Sequence, residues 1–273
     1  MHVAVTGASS GIGEAIAREM ARAGAKLTLV ARRRELLEKL AADVGGGALA
    51  IAHDLSDSAR ATAWMGEAEK VHGPIDVLVN NAGVENTGPA ARVDADLGER
   101  LLATNLLSPV RMARQLLPAM IARGHGVIVN VTSVAALTPA PLQAWYGASK
   151  AGLAAFSEAL GGELRGTGVH VLTVYPGPVT TAMSAAGYAA FGGKKGAVAL
   201  LPEGNPEELA RRIRRAIARH QRRLVYPRFY LGARWFPWLG RALADAFVKS
   251  PYLPPSPPSP PPPRPSPEGF GSG

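Results

Sequence analysis

The sequence predicts an α/β fold: a Rossmann-like, doubly wound parallel β-sheet flanked by helices and built as a single domain. Three observations lead to this prediction. Short apolar runs alternate with helical patterns along the chain, as in parallel strands joined by helices. A glycine-rich turn at residues 6–13, TGASSGIG, joins the first apolar run to the first helical pattern. The 273 residues are 47% hydrophobic, which is enough for one substantial core.

The first unit, residues 2–31, has the pattern of a strand, a glycine turn, a helix and a second strand. Strands are expected at His2–Val5 and Leu27–Val30, and Gly24 closes the helix between them. Small residues at a strand-to-helix turn let a diphosphate approach the backbone, and the helix N-terminus offers amide hydrogens and positive potential. The turn is therefore predicted to bind a nucleotide; the alternative is a plain tight turn.

The rest of the chain continues this alternation. Further strands are predicted at 48–52, 75–79, 127–131, 169–174 and, at the sheet edge, 224–226, with helices at 35–44, 58–72, 94–122, 146–165 and 205–220. Pro109 and Pro118 imply a bend or a break in the longest helix. Residues 182–205, which include Gly187, Gly192, Gly193 and Gly196, are predicted to form a loop that covers a substrate.

Composition narrows the classes of function. The net charge of +9 is compatible with binding to nucleic acid, an anionic membrane or an anionic cofactor. No nucleic-acid motif accompanies the charge, which disfavours the first class. The chain has no cysteine, which excludes disulfides and thiolate metal sites, and no metal site is predicted. Neither a signal peptide nor a run of about 18 apolar residues is found, so a cytoplasmic protein without a spanning helix is expected.

Tyr146 and Lys150 are the first candidates for chemistry. They are four residues apart on a predicted helix and therefore share a face. A free tyrosine titrates near ~10, and an ammonium one turn away is expected to lower that pKa toward the range of a useful acid or base. Ser133 follows a predicted strand, and its hydroxyl would donate to the same substrate oxygen. Alone, this spacing is more often a surface pair; its weight comes from the surrounding motifs.

Six motifs occur in the order seen in one family. They are TGASSGIG at 6–13, Asn80-Asn81-Ala82-Gly83, Asn105, Ser133, YGASK at 146–150 and Tyr175-Pro176-Gly177. Over residues 1–220 the chain resembles the classical short-chain dehydrogenases/reductases. The resemblance implies an oxidoreductase that interconverts a ketone or aldehyde and an alcohol, with Tyr146 as acid/base. Its catalytic set would be Asn105, Ser133, Tyr146 and Lys150, and Asn105 would hold a water that links Lys150 to solvent.

The resemblance also implies which residues contact the cofactor. Asp54 would accept from the adenine amino group, and Val179 and Thr181 would hold the nicotinamide carboxamide. The full set implied is Gly7, Ser9, Ser10, Gly11, Ile12, Gly13, Asp54, Leu55, Asn81, Ala82, Gly83, Tyr146, Lys150, Pro176, Gly177, Val179 and Thr181.

The residues after the second strand bear on the choice of cofactor. An NAD enzyme usually carries an acid there, which binds the ribose hydroxyls. In this chain the position is Ala31, and three arginines follow it. A guanidinium pairs with a 2′-phosphate. NADP(H) is therefore predicted, with Arg32 as the first candidate and Arg33 as a helper. NAD(H) is the alternative, in which the arginines only solvate the start of the next helix.

Substrate and partners follow from the resemblance. Leu137, Leu142 and Trp145 correspond to residues that line the substrate pocket, so a hydrophobic or lipid-like substrate is expected. Two family helices that correspond to residues 94–122 and 146–165 form an oligomer interface, which implies a homodimer or homotetramer. The other class of function is a nucleotide-binding scaffold or sensor without catalysis. The complete catalytic set favours the enzyme.

The end of the chain departs from the α/β pattern. Three segments are predicted: the Rossmann domain at 1–227, an aromatic and basic amphipathic segment at 228–250, and a proline-rich disordered tail at 251–273. Five aromatic residues fall close together in the middle segment: Phe229, Tyr230, Trp235, Phe236 and Trp238. Aromatic and arginine residues interspersed in this way suit a membrane surface. Packing over the substrate pocket or on a partner subunit is the second interpretation, and both stay open.

Overall fold

The computed structural model describes residues 1–190, 193, 202–236, 238 and 241–242. Its centre is a seven-stranded sheet in the order β3-β2-β1-β4-β5-β6-β7, with all neighbouring strands parallel. The strands are β1 (His2–Thr6), β2 (Lys26–Ala31), β3 (Leu49–Ala52), β4 (Val77–Asn80), β5 (Gly126–Val131), β6 (Val169–Pro176) and β7 (Arg223–Tyr226). The predicted fold class is confirmed, with β7 at the sheet edge as expected.

Helices cover both faces of the sheet. They are α1 (Gly11–Arg22), α2 (Arg34–Val44), α3 (Met65–His72), α4 (Ala95–Leu102), α5 (Ser108–Arg123), α6 (Ala144–Glu163), α7 (Ala182–Ala190), α8 (Pro206–Ala218) and α9 (Leu231–Trp235). None of these helices is long and apolar enough to cross a membrane.

The two helical layers enclose two separate cores. Val5 packs with Ile16 of α1 and Ile213 of α8, whereas its neighbour Ala4 packs with Met112 of α5 and Ile128 of β5 on the other face. Adjacent residues enter different cores because successive side chains of a strand point to opposite faces. Both faces are buried, so these strands are continuous apolar runs. The sheet order reverses between β1 and β4, and the crevice outside their carboxyl ends is where such folds bind ligands.

The helix predicted at 58–72 is wrong in its first half. Ser58–Arg60 form a single 3-10 turn, which Asp57 caps by accepting from the Ala59 amide at 3.0 Å, and α3 begins only at Met65. Trp64, before α3, is 2% exposed. Burial of this large side chain against the sheet is compatible with a turn between two short helical pieces, but not with one straight helix.

The helix predicted at 94–122 is interrupted. Residues Ala103–Leu107 form a π-helical turn between α4 and α5. Pro109 comes directly after this turn and has no amide hydrogen to donate to the carbonyl oxygen of Asn105, four residues earlier, so the interruption lies where this proline acts. By contrast, α5 continues past Pro118 to Arg123. The Asn105 side chain bonds to backbone outside the helix. π-Helical turns of this kind are frequent at functional sites.

The loop predicted at 182–205 is wrong for its first nine residues, which form α7. Its start is fixed by a reciprocal pair: the Thr181 amide donates to Ser184 Oγ at 3.1 Å, and the Ser184 amide donates to Thr181 Oγ1 at 3.2 Å. Such a pair satisfies amides that a helix start otherwise leaves without partners. Residues 191–192 and 194–201 lie outside the described part, as does the predicted tail at 251–273.

Candidate active site

The glycine turn after β1 is packed too tightly for side chains. A Cβ atom on Gly13 would lie 2.2 Å from the carbonyl oxygen of Gly7, and one on Gly7 would lie 2.7 Å from the Cα atom of Ala82. Gly7 also has a φ of +66°, which favours glycine. The turn is thus held against the segment after β4, with backbone rather than side chains facing the crevice.

Thr6 fastens that contact. Its buried Oγ1 donates to Val79 O at 3.2 Å and accepts from the amides of Asn81 and Ala82, both at 3.0 Å. Asn81 Nδ2 returns a bond to Thr6 O at 3.0 Å. These bonds join the carboxyl ends of β1 and β4, the two strands on either side of the crevice. The candidate list from the sequence omits Thr6, although it is the first residue of the glycine motif.

The cradle fits a dinucleotide. The start of α1 at Gly11 points its free amides toward this turn, and an anion is favoured there. Gly11 has a φ of +60°, and a Cβ on it would lie 3.2 Å from Thr181 Cγ2, so the segment after β6 closes the turn from above. The structure therefore brings together the first and last predicted cofactor segments.

Ser133 and Tyr146 meet at the carboxyl end of β5. Ser133 follows β5 and accepts from the Ala135 amide at 3.1 Å, and its side chain lies close enough to the phenol of Tyr146 to influence the pKa of that group. Burial raises the pKa of Tyr146 to about 12; the Ser133 bond opposes this rise, and the charge of Glu85 adds to it. The sequence-based expectation of a lowered Tyr146 pKa is therefore wrong for this structure, because burial of the phenol is the largest contribution to the shift.

Lys150 is buried one turn along α6. It is 5% exposed, its Nζ donates to Val131 O at 3.0 Å, and it lies 5.9 Å from the centroid of the Tyr146 ring. Burial lowers the pKa of Lys150 to about 8, and the charge of Glu85 opposes that change. A Cβ on Gly83 would lie 3.3 Å from Nζ, so the backbone of the segment after β4 packs closely against the lysine.

Asn105 connects this pair to the loop after β4. Its Oδ1 accepts from the Val84 amide at 2.9 Å, and its Nδ2 donates to Val84 O at 2.8 Å and to Ser149 Oγ at 3.0 Å. Ser149 in turn donates to the carbonyl oxygen of Tyr146 at 2.7 Å. The π-helical turn is thus the place where a fully buried amide clamps the loop to the catalytic helix. All four residues of the predicted catalytic set lie together.

Comparison with known proteins decides the family. The family model described as "short chain dehydrogenase" matches residues 1–190. The chain belongs to the short-chain dehydrogenase family. The parallel sheet and the glycine turn after β1 agree with this membership.

Three curated relatives have informative names. A short chain dehydrogenase from Pseudocercospora fijiensis is 38% identical over 66% of this chain and 60% of its own length. The ketoacyl reductase HetN from Nostoc is 40% identical over 65% and 63%. A fatty acyl-CoA reductase from Mycobacterium tuberculosis is 40% identical over 67% and 64%. The chain thus spans about three fifths of the length of these relatives.

Solved structures agree with this family. A short-chain dehydrogenase from Streptomyces avermitilis has a TM-score of 0.77 at 30% identity, covering 89% of this chain and 93% of its own. A 3-ketoacyl-(acyl-carrier-protein) reductase from Brucella melitensis in complex with NADH has a TM-score of 0.74 at 29% identity, covering 82% and 96%. A serine dehydrogenase in complex with NADP+ has a TM-score of 0.74 at 31% identity, covering 82% and 94%. The similar structures include both nicotinamide cofactors.

In this short-chain dehydrogenase, Arg33 rather than Arg32 reaches the glycine turn. The Arg33 guanidinium donates to Ser9 Oγ at 2.9 Å and to Ser10 Oγ at 2.7 Å. Arg32 is exposed and makes no hydrogen bond to any described residue. Ala31 ends β2, so no carboxylate lies at that strand end. Arg33, which the sequence suggested only as a helper to Arg32, is therefore the arginine that contacts the glycine turn.

Asp54 and Leu55 lie at the carboxyl end of β3, where the motif order places them. Asp54 is exposed, and its Oδ1 accepts from the Ser56 amide at 2.9 Å. Leu55 is 4% exposed and accepts at its carbonyl from Ser108 Oγ at 2.7 Å. The Asp54 carboxylate therefore caps a local turn, and the predicted contact with the adenine amino group stays a prediction.

The three predicted pocket residues have different surroundings. Trp145 packs on α4, where a Cβ on Gly98 would lie 2.6 Å from the indole. Leu142 has a φ of +67°, and its carbonyl accepts from the Gly88 amide at 2.8 Å. Leu137 packs with Tyr175 under β7. Leu142 and Trp145 thus flank the loop that faces the segment after β4, and Leu137 lies nearer the C-terminal segment.

One polar pair near the catalytic residues is absent from the candidate list. Gln143 Nε2, at the N-cap of α6, donates to Glu85 Oε1 at 2.5 Å. Burial holds the pKa of Glu85 above its usual range, while Gln143 and Lys150 oppose this. The sequence contains one signal for Glu85. It is an acidic residue two positions after Gly83, in the segment predicted to contact the cofactor.

The aromatic residues of the C-terminal segment divide into one that packs inward and four that are exposed. Tyr230 packs inward: a Cβ on Gly177 would lie 2.5 Å from its ring, and its hydroxyl donates to Pro202 O at 3.2 Å. Four other aromatic side chains point to solvent, with exposed fractions of 66% for Phe229, 73% for Trp235, 55% for Phe236 and 67% for Trp238. The segment is therefore anchored beside the proposed cofactor segment and exposes an aromatic surface.

Proposed function

We propose that this chain is an NADP(H)-dependent oxidoreductase that interconverts a ketone or aldehyde and an alcohol on a hydrophobic, acyl-chain substrate. The carrying observation is that Ser133, Tyr146, buried Lys150 and buried Asn105 lie together: Lys150 Nζ is 5.9 Å from the Tyr146 ring centroid, and Asn105 reaches the Tyr146 backbone through Ser149. The cofactor, held at the glycine turn and by Arg33, supplies or takes up the hydride. The protein's own residues position the carbonyl group and move the proton.

Tyr146 is the proton donor in the reduction. With a pKa of about 12 the phenol is protonated at neutral pH, so it can give its proton to the carbonyl oxygen as that oxygen becomes negative. Ser133 donates a second hydrogen bond to the same oxygen. The phenolate left behind is compensated by the Lys150 ammonium, and Asn105 holds the loop and α6 in register. Alcohol oxidation uses the same groups in reverse.

The test of catalysis is turnover. We expect oxidation of NADPH, followed as loss of its nicotinamide absorbance, with a panel of aliphatic ketones and aldehydes of increasing chain length. Longer chains are expected to have the higher kcat/KM, since Leu142 and Trp145 offer apolar surface. The relatives named ketoacyl reductase and fatty acyl-CoA reductase support the choice of acyl substrates. Cofactor binding without turnover of any member of the panel would favour the scaffold or sensor instead.

The preference for NADP(H) rests on Arg33. Its guanidinium lies on Ser9 and Ser10 at the entrance to α1, and Ala31 removes the carboxylate that would repel a 2′-phosphate. If oxygens of the 2′-phosphate replaced the two serine hydroxyls as acceptors, the Arg33 guanidinium could keep its position. The opposite charges would then strengthen its hydrogen bonds. A hydrogen bond to a charged group contributes roughly 1.5–3 kcal/mol, or about 10- to 100-fold in affinity.

The corresponding prediction compares two neighbouring arginines. Arg33→Ala should weaken NADPH binding about 10- to 100-fold and NADH binding less than about threefold, because only NADPH carries the 2′-phosphate. Arg32→Ala is the matched control and should change NADPH affinity by a smaller factor. Fluorescence titration of both cofactors into the three proteins measures this. Equal affinity of the wild type for NADPH and NADH would contradict the assignment.

We also propose that the exposed aromatic surface rests on an anionic membrane. The surface consists of Phe229, Trp235, Phe236 and Trp238. Exposed Arg228 and the net charge of +9 complement anionic lipid headgroups. Aromatic rings of this kind partition to the interface of a bilayer. Tyr230 ties the surface to Gly177, so a lipid-like substrate would leave the bilayer close to the proposed site.

Sedimentation with vesicles tests the membrane proposal. We expect the wild type to bind vesicles of phosphatidylserine and phosphatidylcholine at low salt, and Phe229→Ala/Trp235→Ala/Phe236→Ala to lose at least about tenfold in partitioning. The matched control is Leu36→Ala/Val71→Ala, which removes exposed apolar side chains elsewhere. If the wild type stays in the supernatant, or if the control loses as much, the surface serves another purpose.

A homodimer or homotetramer is proposed on the family resemblance and on exposed apolar side chains. Leu107, at the end of the π-helical turn, and Ile121 of α5 are 46% and 44% exposed. Ala148 and Ala155 of α6 are also exposed. Small residues permit close approach of helices across such an interface.

A further inference from the structure

Glu85 lies where three elements of the site meet. Its Oε1 accepts from Gln143 Nε2 at 2.5 Å, at the start of α6. A Cβ on Gly187 of α7 would lie 3.2 Å from the same oxygen, so α7 packs directly on the carboxylate. The third element is the segment after β4 that carries Glu85 itself. The carboxylate is therefore enclosed by the catalytic helix, the helix over the site and the loop that Asn105 holds.

The backbone around Glu85 is fixed on both sides. Val84 makes two hydrogen bonds to the Asn105 side chain, at 2.9 Å and 2.8 Å. On the other side of Glu85, three residues after it, the Gly88 amide donates to Leu142 O at 2.8 Å. The carboxylate therefore cannot leave the site by a simple swing of the loop, and its half-buried position is a fixed property of the fold.

The charge of Glu85 is felt at the reacting groups. It raises the pKa of Tyr146 and the pKa of Lys150, and Lys150 acts on Glu85 in return. Lys150 is 5% exposed and engaged with Val131 O, whereas Glu85 is partly exposed at α7. A substrate that approaches between α7 and Tyr146 therefore meets the negative charge more directly than the positive one.

We propose that Glu85 is a specificity-determining residue that excludes substrates with an anionic group next to the reacting carbonyl and admits the corresponding esters, thioesters and neutral ketones. The proposal rests on the proposed carbonyl reduction and names the substrate class of that site. Like charges a few ångströms apart in a partly desolvated site repel strongly enough for about 10- to 100-fold discrimination.

A pair of matched substrates tests it. With NADPH, the wild type should reduce ethyl 3-oxobutanoate with a kcat/KM about 10- to 100-fold above that for 3-oxobutanoate, which differs by the free carboxylate. Glu85→Gln should lower this ratio at least about tenfold, chiefly by improving the acid. Glu99→Gln, on the exposed side of α4, changes the net charge equally and should leave the ratio within about twofold. A ratio that Glu85→Gln leaves unchanged overturns the proposal.

A binding experiment separates this proposal from the proposed activity. Calorimetric titration of the NADP+-saturated wild type should show pentanamide binding at least about tenfold more tightly than pentanoate, whether or not any ketone is reduced. This comparison also decides the matter if Glu85→Gln does not fold. Equal affinities, or no measurable affinity for the amide, overturn the proposal. Failure of every ketone in the turnover assay, with the amide preference intact, counts against the activity alone.

Discussion

Tyr146→Phe is expected to lower kcat/KM for carbonyl reduction by about 10³-fold while leaving the affinity for NADPH within about twofold. The change removes one hydroxyl and little shape, and general acid catalysis by a positioned group contributes about 10²- to 10⁴-fold. Ser133 would remain as a donor to the substrate oxygen, but the pKa of a serine hydroxyl is far above that of a phenol, so it would not give up its proton. Steady-state rates and fluorescence titration of NADPH measure the two quantities.

A second tyrosine provides the control. Tyr226 is 8% exposed in β7, and its hydroxyl accepts from the Asn205 amide at 3.0 Å. Tyr226→Phe should therefore lower the free energy of unfolding by about 1 kcal/mol and leave kcat/KM almost unchanged. Substantial reductase activity in Tyr146→Phe, or equal losses in the two variants, would contradict the role assigned to Tyr146.

The pH dependence adds a signature that a structural role would not have. The pKa of Tyr146 is raised to about 12, so the phenol remains protonated from neutral to mildly alkaline pH and the reduction keeps its donor. Alcohol oxidation needs the phenolate, whose fraction grows as the pH rises toward that pKa. Oxidation by the wild type should therefore increase with pH, and the residual oxidation by Tyr146→Phe should lack this increase.

The features that the sequence predicts correctly are those set by local pattern. The glycine turn is recognisable because Gly7 and Gly13 have no room for a Cβ atom, so the backbone itself selects glycine. Tyr146 and Lys150 share a face because helical spacing places them so. Strands buried on both faces appear as apolar runs, which is why the sheet was predictable.

The features that the sequence misses depend on distant contacts. The pKa of Tyr146 follows from burial, which no spacing reveals. Glu85 acquires its surroundings from Gln143, 58 residues away, and from α7. The choice of Arg33 over Arg32 depends on which side of the strand end faces the glycine turn. The clamp on the loop after β4 depends on Asn105 and Val84, which are 21 residues apart.

The buried Lys150 should make the protein less stable than it would be without the charge. Burial lowers its pKa from 10.5 to about 8 in the folded protein. The unfolded chain therefore holds this proton more tightly. Below pH 8 the buried charge lowers the free energy of unfolding by its full amount. As the pH rises from about 8 to 10.5, the folded protein loses the proton first and the penalty disappears. Stability contributed by this group thus increases with pH over that interval.

Lys150→Met is accordingly expected to lower kcat/KM by at least about 10²-fold and to raise the free energy of unfolding at pH 7 by about 1–2 kcal/mol. The pKa difference corresponds to a larger gain, but the loss of the bond to Val131 O offsets part of it. Methionine fills the same unbranched space without a charge. The gain should shrink between pH 8 and 10.5, as measured by urea unfolding at several pH values.

Lys39→Met is the matched control for that experiment, because Lys39 is an exposed lysine of α2. It should change the free energy of unfolding by less than about 0.5 kcal/mol, with no dependence on pH in this range. A Lys150→Met protein that is less stable than the wild type at pH 7, or whose advantage is the same at pH 7 and pH 10, would show that Lys150 is not held at a cost. The expected outcome, more stable and less active, would mean that the fold keeps this buried ammonium for the proton transfer at Tyr146.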